Sequence, residues 1–266
     1  MDMESSLLFV IFMAVVQGIA EFLPISSSGH LALLGRIFNF DAEANATLNI
    51  ILHAGTLLSI VVYYFKELFA ILKEKQFDLV GKLIIATIPV GLVGMLVKAL
   101  KWDETLFNNL YIVGAGFIAT ATLLFFCRGK DNGKEIKELT YKQSFLIGLA
   151  QSIAVLPGVS RSGSTISSGL KLGLNRADAA RFSFLMAIPA IGGVVAVKLF
   201  MLLKKGELTL NSLGISDLVI GFTVSAAVGY FALALLLRIL KRGNFIYFSY
   251  YLYLLGLVTL IWAVFN

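Results

Sequence analysis

Apolar residues fall along this chain in blocks, and two short polar stretches interrupt them. Blocks at 48–65, 83–100, 109–127, 182–203, 217–237 and 246–265 each approach the ~20 residues that a membrane-spanning helix needs. The interruptions are "EFLPISSSGH" (Glu21–His30) and "PGVSRSGST" (Pro157–Thr165). The first lies between "LLFVIFMAVVQGIA" and "LALLGRIF", both apolar enough for hydrocarbon. Leu7–Val16 would make only about 15 Å of helix at 1.5 Å per residue, short of a ~30 Å bilayer core. The pattern therefore predicts six spans plus two re-entrant helix–loop–helix segments, at 7–38 and 143–174.

The two polar stretches also resemble each other. Offsetting the chain by 134 residues, about half its length, lays "QGIAEFLPISSSGHLALLG" (17–35) on "QSIAVLPGVSRSGSTISSG" (151–169) without a gap. Identities include Gln17/Gln151, Ser26/Ser160, Ser28/Ser162 and Gly29/Gly163. Three long apolar segments follow each stretch. Three crossings is an odd number, so the second half enters the membrane inverted relative to the first, an arrangement that brings broken helices together near the midplane. The halves are drawn at 1–133 and 134–266.

Composition agrees with the pattern. Of 266 residues, 58% are hydrophobic and 14% charged, and the mean hydropathy is +0.88. Soluble domains are about one-quarter charged, so an all-α integral membrane protein is expected. The net charge of +6 reads as topology, with no nucleic-acid partner. The predicted loops 66–82, 128–142, 171–181 and 238–244 share one face and hold 15 of the 22 lysines and arginines. The positive-inside rule makes that face cytoplasmic, puts both termini outside and dips the first motif in from outside. The single cysteine, Cys127, excludes an intrachain disulfide and a cysteine metal cluster. The acidic start, "MDMESS", lacks the basic region of a signal peptide.

The candidate chemistry lies in the two loops. Gln17 and Glu21 are four apart and share a helix face, and a carboxylate at membrane depth marks a functional site or a structural hydrogen bond. Pro24 ends the first helix. "SSSGH" opens the next, where a serine cap and free N–H groups form an anion site, and Gly29 lets a ligand approach the backbone. His30 follows Ser27 by one turn, so the two can form a nucleophile–base pair; alternatively His30 only caps the helix. Arg161 calls for an anion, either a phosphate held by its planar fork or Glu21 as an internal ion pair. His53, in "IILHAGTL", reads as a packing or lining residue. No Walker sequence is present.

The stretches "QGIAEFLPISSSGH" (17–30) and "PGVSRSGST" (157–165) resemble the two signature motifs of the undecaprenyl-diphosphatase family, also called bacitracin resistance proteins. The resemblance covers essentially the whole chain. It implies hydrolysis of undecaprenyl diphosphate to the monophosphate and inorganic phosphate, recycling the lipid carrier of cell-wall sugars, at a cell-membrane site that opens outward. By position it implies Glu21, Ser27, His30 and Arg161 as catalytic residues. Ser26, Ser28, Gly29, Ser160, Ser162 and Thr165 would contact phosphate, and Glu21 with Gln17 would hold Mg²⁺ or Ca²⁺. Many relatives carry Glu at the place of Gln17, which brings no charge to a metal. His53 likewise stands where Gln is expected. The implied partners are a polyprenyl diphosphate and membrane lipid, with a homodimer as the assembly allowed.

On this reading Ser27 attacks the terminal phosphorus and His30 handles its proton, or water activated by Glu21 and the metal attacks instead. "SSGH" and "SRSGS" also resemble type-2 phosphatidate phosphatases, but those need a histidine and an aspartate where this chain has Ser167 and Lys171. A polyprenyl-phosphate transporter or flippase is the alternative from another class, since inverted repeats with broken helices are common among transporters. The Ser27/His30 pair favours an enzyme.

Overall fold

The structure is a computed structural model; it describes residues 3–38, 42–127, 133–205, 214–243 and 245–265. Among these residues the protein is helical, with one isolated bridge between Lys134 and Leu174 and no strand. The first broken pair is α1 (Met3–Phe22) and α2 (Ser27–Ile37). Then come α3 (Ala42–Tyr63), α4 (Phe65–Lys73), α5 (Phe77–Ala99), a short α6 (Asp103–Asn108) and α7 (Leu110–Cys127). The second broken pair is α8 (Tyr141–Ile153) and α9 (Arg161–Lys171), and α10 (Arg176–Lys205), α11 (Ile215–Arg242) and α12 (Ile246–Phe265) follow.

Five helices, α5, α7, α10, α11 and α12, are long and apolar enough to cross a membrane. The sixth expected span is bent: Thr47–Tyr63 of α3 meets α4 at 64°. The protein is thus an all-α, multi-pass membrane protein. α2 and α9, with 11 residues each, reach only about 16 Å at 1.5 Å per residue. α1 is longer than its apolar flank suggests. It continues through Gln17 and Glu21 to Phe22 and has 20 residues, because Pro24, rather than the first polar side chain, is what stops it.

Local chemistry sets the helix ends near the loops. Ser26 caps α2, its hydroxyl accepting from the Gly29 N–H at 3.3 Å. Ser160 caps α9 in the same way, accepting from Gly163 N–H at 3.1 Å. Each satisfies a donor that the first helical turn leaves free. Thr140 and Gln143 form a reciprocal capping box at the start of α8. α11 ends at Gly243, whose φ of 79° is a left-handed closure suited to glycine.

Polarity is arranged opposite to a soluble domain. Phe231, Leu254 and Val264 are exposed on the outside, whereas Gln17, Ser160, Ser162 and Thr165 are buried inside. The outer helices meet lipid, so nothing drives their apolar faces inward, and polar side chains are best satisfied within the bundle. α1 packs along α11 and α8 along α5, while α7 and α12 pack on one another. α2 and α9 pack back on their partners α1 and α8, and both also contact α7. Arg128 and Lys130, counted in the charge-rich loops, lie outside the described residues.

Candidate active site

The two loops touch. Ser26 Oγ donates to the Val159 carbonyl at 3.3 Å, and Ser162 Oγ donates to that of Leu23 at 3.4 Å. The approach is close enough to require glycine. A Cβ on Gly29 would lie 2.8 Å from Gly158 Cα in the other loop, and one on Gly158, whose φ is +88°, would lie 2.1 Å from the Val113 carbonyl oxygen of α7. Thr120 of α7 ties the second loop down, accepting from Ser160 N–H at 2.9 Å. Ser26 itself has φ 69°, unusual for a residue with a side chain. Its hydroxyl, carbonyl and neighbours hold it there.

Glu21 is the centre of the site. Its Oε1 accepts from Arg161 Nη2 at 2.7 Å, joining the first loop to the second. Its Oε2 accepts from Ser27 Oγ at 2.7 Å and from Gln17 Nε2 at 3.2 Å. The internal Glu21–Arg161 pair is therefore present in the protein interior, where each charge offsets the desolvation cost of the other. Glu21 and Ser27 are buried, and the Arg161 side chain is 15% exposed. Two of Arg161's five N–H donors have contacts in the structure, with Glu21 and with the Ser183 carbonyl at 3.5 Å.

The hydroxyls expected around a phosphate are gathered here, although they do not all face one point. Ser26 and Ser28 hydroxyls lie 3.3 Å apart, and Ser160 and Ser162 hydroxyls 3.2 Å apart. Thr165 is engaged elsewhere: its Oγ1 lies 2.6 Å from Ser183 Oγ of α10 and donates to the Arg161 carbonyl at 2.9 Å. It braces the turn beneath Arg161.

The expected Ser27–His30 pair is not what the structure displays. Ser27 bonds Glu21, whereas His30 Nδ1 lies 2.8 Å from the Ser26 carbonyl. A carbonyl can only accept, so Nδ1 carries a proton, and Nε2 of the neutral ring takes the Tyr251 hydroxyl at 2.7 Å. The Tyr251 ring also stacks on the imidazole. One turn of helix does place residues 27 and 30 on one side. Ser27, however, opens α2 facing back to α1, while the His30 ring turns outward to α12.

Two contributors were not evident from the sequence. Tyr251 comes from α12, more than 200 residues from His30, with no motif around it. His53 reads from the sequence as a packing or lining residue, but its Nε2 lies 3.7 Å from Glu21 Oε2. Its Nδ1 is 2.7 Å from the Asn49 carbonyl, which again fixes the tautomer. The Gln17–Thr56 bond at 3.5 Å shows how α3 comes alongside α1; once that packing is known, Glu21 and His53 fall at one level.

A resident metal has a thin donor set here. Among the described residues no three of His, Cys, Asp and Glu cluster, and Glu21 is the only carboxylate at the site. Gln17 Oε1, however, is buried with no hydrogen-bond partner, an acceptor left open beside a carboxylate. That set fits a Mg²⁺-type ion that arrives on substrate phosphates, since such ions take one or two protein oxygens and the rest from phosphate and water.

Residues 10–258 match the family model described as "Bacitracin resistance protein BacA". The chain belongs to the bacitracin resistance protein BacA family. Similar proteins cover nearly its full length. One from Methanosphaera stadtmanae is 36% identical, over 97% of this chain and 98% of its own. Another from Carboxydothermus hydrogenoformans is 37% identical, over 94% and 95%. A third from Parabacteroides distasonis is 38% identical, over 94% and 96%. All three are named undecaprenyl-diphosphatase. In this BacA-family chain, contacts run from Arg161 of one loop through Glu21 to Ser27 of the other.

Proposed function

We propose that this chain is an undecaprenyl-diphosphate phosphatase that cleaves the lipid diphosphate to undecaprenyl phosphate and inorganic phosphate, recycling the carrier for cell-wall synthesis and conferring bacitracin resistance. The observation that carries it is the line Arg161–Glu21–Ser27, which joins a cation, a base and a hydroxyl from both loops. A lipid diphosphate suits the place: its anionic head meets Arg161 and the capped starts of α2 and α9, and its tail stays in hydrocarbon.

In the mechanism, Ser27 Oγ attacks the terminal phosphorus while its proton passes to Glu21 Oε2. The anhydride P–O bond breaks and undecaprenyl phosphate leaves. Water then attacks the phosphoserine, releasing inorganic phosphate, and Glu21 returns the proton to Ser27. Arg161 exchanges part of its contact with Glu21 for the equatorial phosphate oxygens, where stabilisation of charge dominates phosphoryl transfer. Ser26, Ser28, Gly29, Ser160 and Ser162 supply hydroxyl and N–H donors. His30 orients a phosphate oxygen from the rim. Mg²⁺ or Ca²⁺ on the diphosphate, held by Glu21 and Gln17 Oε1, would supply neutralising charge.

We read α1–α2 and α8–α9 as re-entrant pairs of an inverted repeat with halves at 1–133 and 134–266. Equivalent caps at Ser26 and Ser160 support this, as does the packing of α1 on α11 beside that of α8 on α5. The charge-rich loops put the cytoplasm on their side, so the site opens outward.

The test is phosphate release by purified protein in micelles, with farnesyl or undecaprenyl diphosphate and Mg²⁺. Ser27→Ala is expected to lower release by about 10³-fold or more with the helical spectrum unchanged. Near-normal release from Ser27→Ala would replace the serine nucleophile with direct attack by water. No release from wild type with any divalent cation would turn the assignment to lipid transport.

A further inference from the structure

A second feature lies away from the loops, where α3 and α11 end. A cavity of about 410 Å³ opens there, lined by Tyr63, Tyr230, Phe231, Leu237, Arg238 and Lys241 among others. The α11 residues are spaced like one helix face, with Tyr230 and Phe231 at one end and Arg238 and Lys241 about 12–16 Å further along at 1.5 Å per residue. Tyr63 and Tyr230 meet with ring centroids 5.6 Å apart and close the apolar end. Arg238 and Lys241 are exposed, and no carboxylate among the described residues pairs with either. The groove therefore has an aromatic, apolar floor and an uncompensated dication at its mouth.

The helix that follows Tyr63 in the chain indicates where that mouth lies relative to the membrane. Just past Tyr63 the chain bends by 64° into α4. α4 exposes Phe65, Phe69 and Leu72 at 64%, 60% and 75%, spaced 4 and 3 apart as one stripe, with Lys66 and Lys73 beside them. An exposed apolar stripe with flanking lysines is the pattern of a helix lying in the membrane interface. Tyr63 and Tyr230 then sit at the hydrocarbon boundary, where tyrosines concentrate. Arg238 and Lys241 reach the headgroup layer. Helix-dipole complementarity accounts for cations at the end of α11, but not for a groove running from them to three aromatic rings.

We propose that this groove binds an anionic phospholipid, with its phosphodiester between Arg238 and Lys241 and an acyl chain along Leu237, Phe231 and Tyr230. Basic pockets beside transmembrane helices recognise anionic headgroups in this way. The site is separate from the Arg161–Glu21–Ser27 line and does not depend on the reaction assigned there.

The experiment is native mass spectrometry of the full chain in micelles, titrated with phosphatidylglycerol or with phosphatidylcholine of the same acyl chains. Phosphatidylglycerol adducts are expected to form at least about tenfold more tightly, as two headgroup-facing cations imply. Arg238→Ala/Lys241→Ala should remove that preference while leaving phosphate release intact. Lys142→Ala/Lys171→Ala, with the same change in net charge, should keep it. Equal binding of both lipids by wild type, or equal loss in both double variants, would overturn the proposal. So would displacement of phosphatidylglycerol by equimolar farnesyl phosphate, which would assign the groove to a polyprenyl phosphate.

Discussion

The two motif loops share a scaffold and divide the chemistry. Ser26 and Ser160 cap their helices through the same hydrogen bond, to Gly29 and Gly163. The first helical residue after each cap is Ser27 in one loop and Arg161 in the other. Glu21 has Val155 at the equivalent place, and His30 has Ser164. One loop thus supplies hydroxyl, carboxylate and imidazole, and the other supplies permanent positive charge. The glutamines make the same contrast. Gln17 donates to Glu21 and Thr56, whereas both polar atoms of Gln151 are buried without a partner. A scaffold can keep equivalent backbone devices in both loops while the side chains at equivalent positions differ in chemical type.

The largest effect expected from breaking this division is at its joint. Arg161→Gln leaves Glu21 buried without its cation, which costs about 3–5 kcal/mol when a buried pair loses one partner. Phosphate release should fall by about 10³-fold or more, the range for a charge-stabilising arginine in phosphoryl transfer. Unfolding by denaturing detergent and initial rates measure the two. A loss of rate with no loss of stability would mean that Glu21 has another cation.

The glutamines sharpen the contrast. Gln17→Leu should destabilise by about 1–3 kcal/mol, because the carboxylate loses a donor, and should weaken the cation dependence of phosphate release. Gln151→Leu should be neutral or stabilising, since it removes buried polar atoms that have no partner. Equal destabilisation by both would erase the difference.

The caps are the converse case, where the loops should behave alike. Ser26→Ala and Ser160→Ala are each expected to cost about 1 kcal/mol, read as paired shifts in melting midpoint. Ser26→Ala should exceed its mate modestly, because the same hydroxyl also bonds Val159.

The smallest expected effect is at Tyr251. Tyr251→Phe keeps the stacked ring and removes the hydroxyl on His30 Nε2. A several-fold lower kcat with KM unchanged would show that the hydroxyl positions His30; a change in KM alone would assign Tyr251 to substrate binding.

Much of this was legible in the sequence, for local reasons. Pro24, the cap serines and the adjacent glycines act within a turn or two, so their spacing reveals the breaks between helices and the hydroxyls gathered at them. The Glu21–Arg161 contact is one of the two pairings that charge alone offers Arg161, because an ionised group within an apolar bundle needs a counter-charge. What was hidden depends on packing between distant helices. His53 meets Glu21 only because α3 runs beside α1, and Tyr251 meets His30 only because α12 packs on α7 near the start of α2. The Ser27–His30 pairing misled for a related reason. Helical spacing gives a side, but the Ser26 carbonyl and Tyr251 claim both nitrogens of the ring.

The central claim is that Ser27 and Arg161, at equivalent positions of two loops, serve one reaction centre. A double-mutant cycle tests it most directly: phosphate release from farnesyl diphosphate by wild type, Ser27→Ala, Arg161→Gln and the double variant. Groups acting as a unit are strongly non-additive, so the double variant should be within about tenfold of the worse single one. Losses that multiply across the cycle would contradict the account and place the two residues in independent roles.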